Sequence, residues 1–160
     1  MEHSQKELLV LGLGNDILSD DSVGLLVARQ LKDALGDLAG VEVRDTCEMG
    51  LSLLDHFTGY RRLVVVDAVQ THQAPPGFLH ELELDDLKVL PLMSPHFLGV
   101  GEIVAAGRKL AMPMPECVKV FAIEVQDPFT VSTELTPPVA EAIPGITRRI
   151  QSVVRELSAL

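Results

Sequence analysis

The chain has 160 residues, and its 23 Asp and Glu against 13 Lys and Arg give a formal net charge of −10. The length suits a single domain spanning residues 1–160, and a hydrophobic content of 47% excludes a disordered chain. Because acidic surfaces repel phosphate backbones and anionic headgroups, we expect neither a nucleic-acid nor a membrane partner. Two cysteines without CxxC spacing, and apolar stretches well short of the roughly 20 residues of a spanning helix, predict a cytoplasmic protein.

Short apolar runs that indicate strands alternate along the chain with patterns that indicate helices. Strands are predicted at residues 7–13, 41–46, 62–67, 78–84 and 117–125. Helices are predicted at 20–35, 50–57, 94–110 and 136–157, the last kinked at Pro144. This order predicts an α/β fold, a three-layer α/β/α sandwich around a mostly parallel five-stranded sheet with strand 78–84 at an edge.

Functional sites in such sheets form beyond the carboxyl ends of the strands, and three candidate side chains fall there. Asp21 follows Asp20 at the start of the first helix; the helix dipole accounts for one acid there but less well for two. Asp67 closes the strand RLVVVD, where the alternative role is a cap for the next loop. His96 begins a predicted helix, a position at which a lone histidine is more often structural.

Together, Asp21, Asp67 and His96 predict a three-ligand metal site that leaves coordination positions open for substrate or water. Mixed oxygen and nitrogen donors suit Zn²⁺, Ni²⁺ or Mn²⁺, and the set of ligands does not choose among these ions. The three residues are far apart in the sequence, so the expectation that they meet depends on the predicted fold.

Other kinds of site receive less support. The loop after the first strand has Ile17 where a dinucleotide fingerprint needs glycine, lacks the Gly-Lys-Ser/Thr of a P-loop, and carries aspartates that would repel pyrophosphate. Cys47 is a weak nucleophile candidate that His96 would have to activate, and we expect it instead to be a small buried residue near the rim. The sequence contains neither a GxSxG elbow nor an HExxH helix, so a serine hydrolase or a zincin is not supported.

Several motifs, in this order along the chain, resemble those of the nickel–iron hydrogenase maturation endopeptidases. They are Leu11-Gly12-Leu13-Gly14-Asn15, Asp20-Asp21-x-x-Gly24, Val66-Asp67-Ala68, Ser94-Pro95-His96-x-x-Gly99, and Leu135-Thr136-Pro137 with Val139 and Glu141. The likeness runs from about Val10 to Ile150 and therefore covers nearly the whole chain.

The resemblance implies a twisted five-stranded sheet between helices and a single cut near the carboxyl terminus of the hydrogenase large-subunit precursor, made after nickel insertion. It also implies that Asp21, Asp67 and His96 are the metal-binding and catalytic residues. We therefore expect a cytoplasmic, metal-dependent endopeptidase whose nickel is supplied by the substrate, with zinc or another divalent ion substituting in vitro.

One departure from the family pattern keeps another function open. Relatives usually follow the second strand with Asp-Gly-Gly, whereas here Asp45 is followed by Thr46 and Cys47. Glycines permit backbone conformations that Thr and Cys tolerate poorly, so the shape of this loop is expected to differ. The competing hypothesis is a non-catalytic chaperone that binds nickel or the precursor without cutting it. A small nucleotide-binding domain is the third hypothesis, and the sequence supports it less than the other two.

Overall fold

The fold is built on one five-stranded sheet, seen here in a computed structural model that describes residues 6–88 and 100–160. The strands are β1 (Lys6–Leu13), β2 (Val41–Thr46), β3 (Tyr60–Val69), β4 (Leu79–Glu83) and β5 (Cys117–Glu124). They lie in the order β2-β1-β3-β5-β4, and each pairing is parallel except that of β4 with β5. The antiparallel strand at one edge is the strand predicted there from its alternating sequence.

Helices cover both faces of this sheet. They are α1 (Val23–Leu35), α2 (Leu53–Phe57), α3 (Val100–Lys109) and α4 (Pro137–Ser158), with short 3-10 turns at Asp20–Ser22, Gly50–Ser52 and Leu84–Lys88. α1 and α4 pack on one face, and α2 and α3 pack on the other. The predicted three-layer α/β/α fold with a mostly parallel sheet is therefore confirmed.

The central strands are buried on both faces, which explains their nearly continuous apolar runs. In β1, Leu8 and Val10 face α1 and α4, whereas Leu9, Leu11 and Leu13 face α2 and α3, and all five are fully buried. Burying a Leu or Val side chain contributes about 1.5–3 kcal/mol. The two hydrophobic layers fix the register of β1 and, with it, the position of the loop that follows.

Element boundaries differ from the prediction where tertiary pairing decides them. β3 extends beyond the predicted residues 62–67 because Tyr60 pairs with Lys6 of β1 and Val69 pairs with Glu124 of β5. α4 is one helix of 22 residues with Pro144 inside it, and its bounds agree with the predicted 136–157. The predicted start of the third helix at residues 94–95 lies outside the described residues. Within the described ranges, no helix has both the length and the hydropathy that crossing a membrane requires.

Candidate functional site

α1 begins in direct contact with the carboxyl ends of β1 and β3, and glycines make this contact possible. A Cβ built on Gly24 would lie 2.2 Å from the carbonyl oxygen of Leu13 and 2.6 Å from that of Val66. A Cβ on Gly12 would lie 2.4 Å from the carbonyl oxygen of Gly24. The turn that contains Asp20 and Asp21 precedes Gly24 and contacts β3, so the two acids sit at the carboxyl edge of the sheet.

The two predicted acidic site residues both lie at this edge and are both buried. Asp21 is 7% exposed, and Asp67 is fully buried near the end of β3. The Asp67 carboxylate accepts a hydrogen bond of 2.7 Å from the backbone N–H of Ala68 through Oδ1. His96 lies outside the described residues. Within residues 6–88 and 100–160, no group of three or more His, Cys, Asp or Glu side chains is arranged to hold a metal ion, so the three-ligand site stays a prediction.

The neighbouring acid, Asp20, serves a different purpose from the one its sequence position suggests. Its fully buried carboxylate accepts four hydrogen bonds, from the backbone N–H groups of Gln126, Asp127 and Thr136 and from the Thr136 hydroxyl, at 2.7–3.0 Å. Asp20 therefore ties the turn before α1 to the loop between β5 and α4. Because its four partners account for the carboxylate, Asp20 is a structural residue.

Backbone pairing extends the connection made by Asp20. Leu18 and Val131 form an isolated antiparallel bridge, and the Ser19 N–H donates to the Thr130 carbonyl at 2.9 Å. The Ser132 N–H donates to the Ile17 carbonyl at 3.0 Å. The loop after β1 and the loop after β5 thus form one paired structure beside Asp21, although they are more than 100 residues apart in the sequence.

A buried carboxylate that the sequence analysis missed lies at the end of β5. Glu124 is 1% exposed. Its carboxylate accepts hydrogen bonds from the Thr71 hydroxyl and from the Thr71 N–H, the latter at 2.8 Å. It also contacts His80 Nε2 at 3.1 Å. Burial raises the pKa of Glu124, but the bonds from Thr71 and His80 outweigh burial and lower it. The signal was available in the sequence, because Glu124, like Asp67, is an acid close to the end of an apolar strand.

Glu124 organises the loop that follows β3. Its side chain holds Thr71 near the beginning of this loop, and its backbone pairs with Gly77 and Phe78 at the end. The carboxylate itself accepts the hydroxyl bond, whereas an activated nucleophile donates to an imidazole. The arrangement therefore positions a loop and does not match a nucleophilic triad.

Cys47 is exposed, so its expected role as a small buried residue is wrong. It follows the carboxyl end of β2, which is an edge strand among the strands that the structure describes. Cys47 and Cys117 are both free thiols.

Comparison with known proteins gives one consistent result. The model of the family described as "Hydrogenase maturation protease" matches residues 25–153. The hydrogenase 2 maturation protease of Escherichia coli is 25% identical over 151 residues, which are 93% of this chain and 91% of that protein. The solved structure of the hydrogenase maturating endopeptidase HybD from E. coli matches with a TM-score of 0.78 and 25% identity, covering 94% of this chain and 93% of that one.

A more distant structure shares the fold. The [NiFe] hydrogenase maturation protease HybD from Thermococcus kodakarensis matches with a TM-score of 0.68 at 22% identity, covering 92% of this chain and 98% of that one. The family model includes the positions of Asp67 and His96, while Asp21 precedes its first matched residue.

Proposed function

Since the chain belongs to the hydrogenase maturation protease family, we propose that it is an endopeptidase that removes the C-terminal extension of a nickel–iron hydrogenase large-subunit precursor after nickel insertion. The observation that carries the proposal is the family match over residues 25–153, which confirms the resemblance inferred from the motifs. The E. coli relative, aligned over nearly the full length of both chains, is named as a protease of the same kind.

In this proposal Asp21, Asp67 and His96 act at the scissile peptide. Asp21 and Asp67 support it as buried carboxylates at one edge of the sheet, where helix α1 and the central strand meet. Carboxylate oxygen and imidazole nitrogen are both accepted by Ni²⁺ and by Zn²⁺. The nickel belongs to the precursor and is part of the substrate, so the protease needs no metal of its own. A divalent ion beside a peptide bond polarises the carbonyl or lowers the pKa of an attacking water.

The proposal is tested by mass spectrometry of a purified large-subunit precursor incubated with this protein. We expect the nickel-loaded precursor to lose its tail and the nickel-free precursor to stay intact. Equal cleavage of both forms would contradict recognition through nickel.

Substitutions test the assigned residues. Asp21→Asn, Asp67→Asn and His96→Ala are each expected to abolish cleavage, while Asp33→Asn, an exposed acid on α1, serves as the matched control and retains it. Unimpaired cleavage by any of the first three variants would remove that residue from the site.

The second candidate function is a non-catalytic chaperone for nickel or the precursor. Thr46 and Cys47, in place of the glycines usual in relatives, favour it, and Cys47 is exposed on the loop concerned. The chaperone hypothesis predicts that the wild-type protein retains the precursor in a pull-down experiment but releases no tail peptide. A titration with ATP or NAD that detects no binding would remove the third candidate, a nucleotide-binding domain.

A further inference from the structure

Exposed large apolar side chains concentrate at the edge of the sheet that carries Asp21 and Asp67. Within the part of the chain that the structure describes, six of them lie on loops or short turns at this edge: Ile17, Met49, Leu51, Phe78, Phe129 and Val131. Leu110, which follows α3 at the opposite edge, and Leu160, the last residue, are the others. Exposed apolar surface of this kind typically marks a place where another protein binds.

Three of these side chains belong to one paired structure, which we call the apolar rim: Ile17, Phe129 and Val131. They are 57%, 76% and 77% exposed. Backbone bonds hold the loops after β1 and β5 side by side: Val131 pairs with Leu18, the residue after Ile17, and the Ser132 N–H donates to the Ile17 carbonyl. The Asp127 carboxylate accepts bonds of 3.0 Å from the N–H groups of Phe129 and Thr130, which fixes the turn that presents Phe129.

The apolar rim is therefore ordered before any partner arrives. A surface that needs little ordering loses less conformational entropy on binding, so its apolar area contributes more fully to affinity. The rim is also continuous with the candidate site. The Asn15 N–H donates to the Asp21 carbonyl at 3.3 Å, so one closed loop carries Ile17 at its tip and Asp21 at its base.

The charges around the apolar rim indicate the chemistry of the partner. The segments 14–22 and 126–136 contain Asp16, Asp20, Asp21, Asp127 and Glu134, and neither segment contains Lys or Arg. Asp16 and Glu134 are exposed. An apolar surface with an acidic border complements an apolar segment with basic flanks and disfavours an acidic one.

We propose that the apolar rim docks an apolar segment, flanked by Lys or Arg, of the hydrogenase large-subunit precursor, next to the peptide to be cut. This inference rests on the proposed function, because that function supplies the partner. Docking at the rim adds affinity that is separate from the chemistry at Asp21 and Asp67. It gives the protease a way to recognise its precursor that does not depend on the metal.

The test compares the double variant Phe129→Ser/Val131→Ser with the wild type and with Leu110→Ser, a matched control in which an equally exposed apolar residue is changed at the opposite edge. Three quantities are measured on the nickel-loaded precursor: Kd from calorimetry, and KM and kcat from tail release. We expect the double variant to raise Kd and KM about tenfold with kcat within about twofold, as for the loss of binding shared by ground and transition states. Leu110→Ser should match the wild type in all three quantities.

Circular dichroism and thermal unfolding confirm the fold of each variant, and Ile17→Ser repeats the test from the other loop. A Kd and KM within about twofold of the wild type for these variants would overturn the proposal. The proposal would also be overturned if the wild type sediments as a dimer and the double variant as a monomer, because the apolar rim would then bind a second copy of this chain.

The acidic border is tested separately. Glu134→Gln should weaken binding and reduce its dependence on salt concentration, because salt screens the attraction between exposed charges. An unchanged salt dependence would exclude basic flanks in the docked segment. If the wild type binds the precursor but releases no tail, the proposed proteolytic function fails. The ratio of the Kd of the double variant to that of the wild type still decides whether the apolar rim docks the precursor.

Discussion

Gly24 at the start of α1 lies so close to Asp67 that a Cβ on the glycine would stand 3.2 Å from the Asp67 Cα. The same Cβ would clash with the backbone of both β1 and β3. The contact between α1 and the sheet thus depends on the absence of a side chain at Gly24. This contact brings Asp21 to the edge that Asp67 occupies.

Gly24→Ala should therefore destabilise the protein by about 3 kcal/mol, because the new methyl group meets backbone atoms that cannot move aside. Precursor cleavage should fall as well, since α1 and Asp21 must shift away from β3. Chemical denaturation and a cleavage assay measure the two effects. Gly145→Ala is the control: it lies inside α4 with open space around its Cβ position, and should stabilise the protein by about 0.5–1 kcal/mol. Similar stabilities for the two variants would contradict the close-contact argument.

Asp20 and Asp21 are expected to differ in what their substitution affects. Asp20→Ala removes the acceptor for three backbone N–H groups and one hydroxyl, and should cost about 3 kcal/mol, since each unsatisfied donor costs about 1–3 kcal/mol and water will satisfy some of them. Asp16→Asn, an exposed change in the same loop, should stay within about 0.5 kcal/mol. Urea denaturation checks both, and an Asp20→Ala protein as stable as Asp16→Asn would show that the carboxylate does not hold the loops together.

Glu124→Gln should loosen the loop between β3 and β4. The amide offers one acceptor oxygen where the carboxylate offers two, so the bonds from Thr71 and His80 cannot all be kept. We expect a loss of about 1–3 kcal/mol. Hydrogen exchange should reveal faster exchange at the Thr71 amide, with the amides of the α1 interior unchanged. An unchanged exchange rate at the Thr71 amide would mean that the Glu124 carboxylate does not order this loop.

Stability at low pH should depend on Glu42, which lies in the edge strand β2. Burial raises its pKa, but hydrogen bonds from Tyr60, Arg44 and Lys6 outweigh this and lower the pKa from 4.5 to about 2. A carboxyl with a lowered folded-state pKa stabilises fully above pH 4.5 and loses that contribution as the pH falls towards 2.

Glu42→Gln should consequently destabilise the protein at pH 7 by about 1 kcal/mol, a figure kept small because solvent screens this partly exposed group. The difference from the wild type should shrink between pH 4.5 and 2. Denaturant titrations at several pH values measure it, with Glu141→Gln on exposed α4 surface as the control. A difference that grows as the pH falls would contradict the assigned direction of the pKa shift.

The sequence predicts the strands and layers well because burial dictates their residues. Strands such as β1 and β3 must be apolar on both faces, and residues with that pattern have few other places in a fold of this length. The position of Asp67 was likewise predictable, because an acid near the end of a buried strand must lie close to the carboxyl edge of the sheet.

The structural role of Asp20, in contrast to its neighbour Asp21, could not be predicted from the sequence. They are adjacent acids with the same local pattern, and what separates them is a loop more than 100 residues later whose N–H groups converge on Asp20. Cys47 was misjudged for a related reason. Its burial depends on whether a neighbouring strand covers β2, and strand order follows from the tertiary fold alone.

The bonds between Asp20 and residues 126, 127 and 136 have a consequence for biosynthesis. Strand β1 and helix α1 leave the ribosome early, but the turn beside Asp21 acquires its anchors after most of the polypeptide has been translated. A nascent chain that has not yet reached Thr136 lacks partners that hold the Asp20 carboxylate in place. The turn that contains Asp21 should therefore reach its final conformation only when elongation is almost complete.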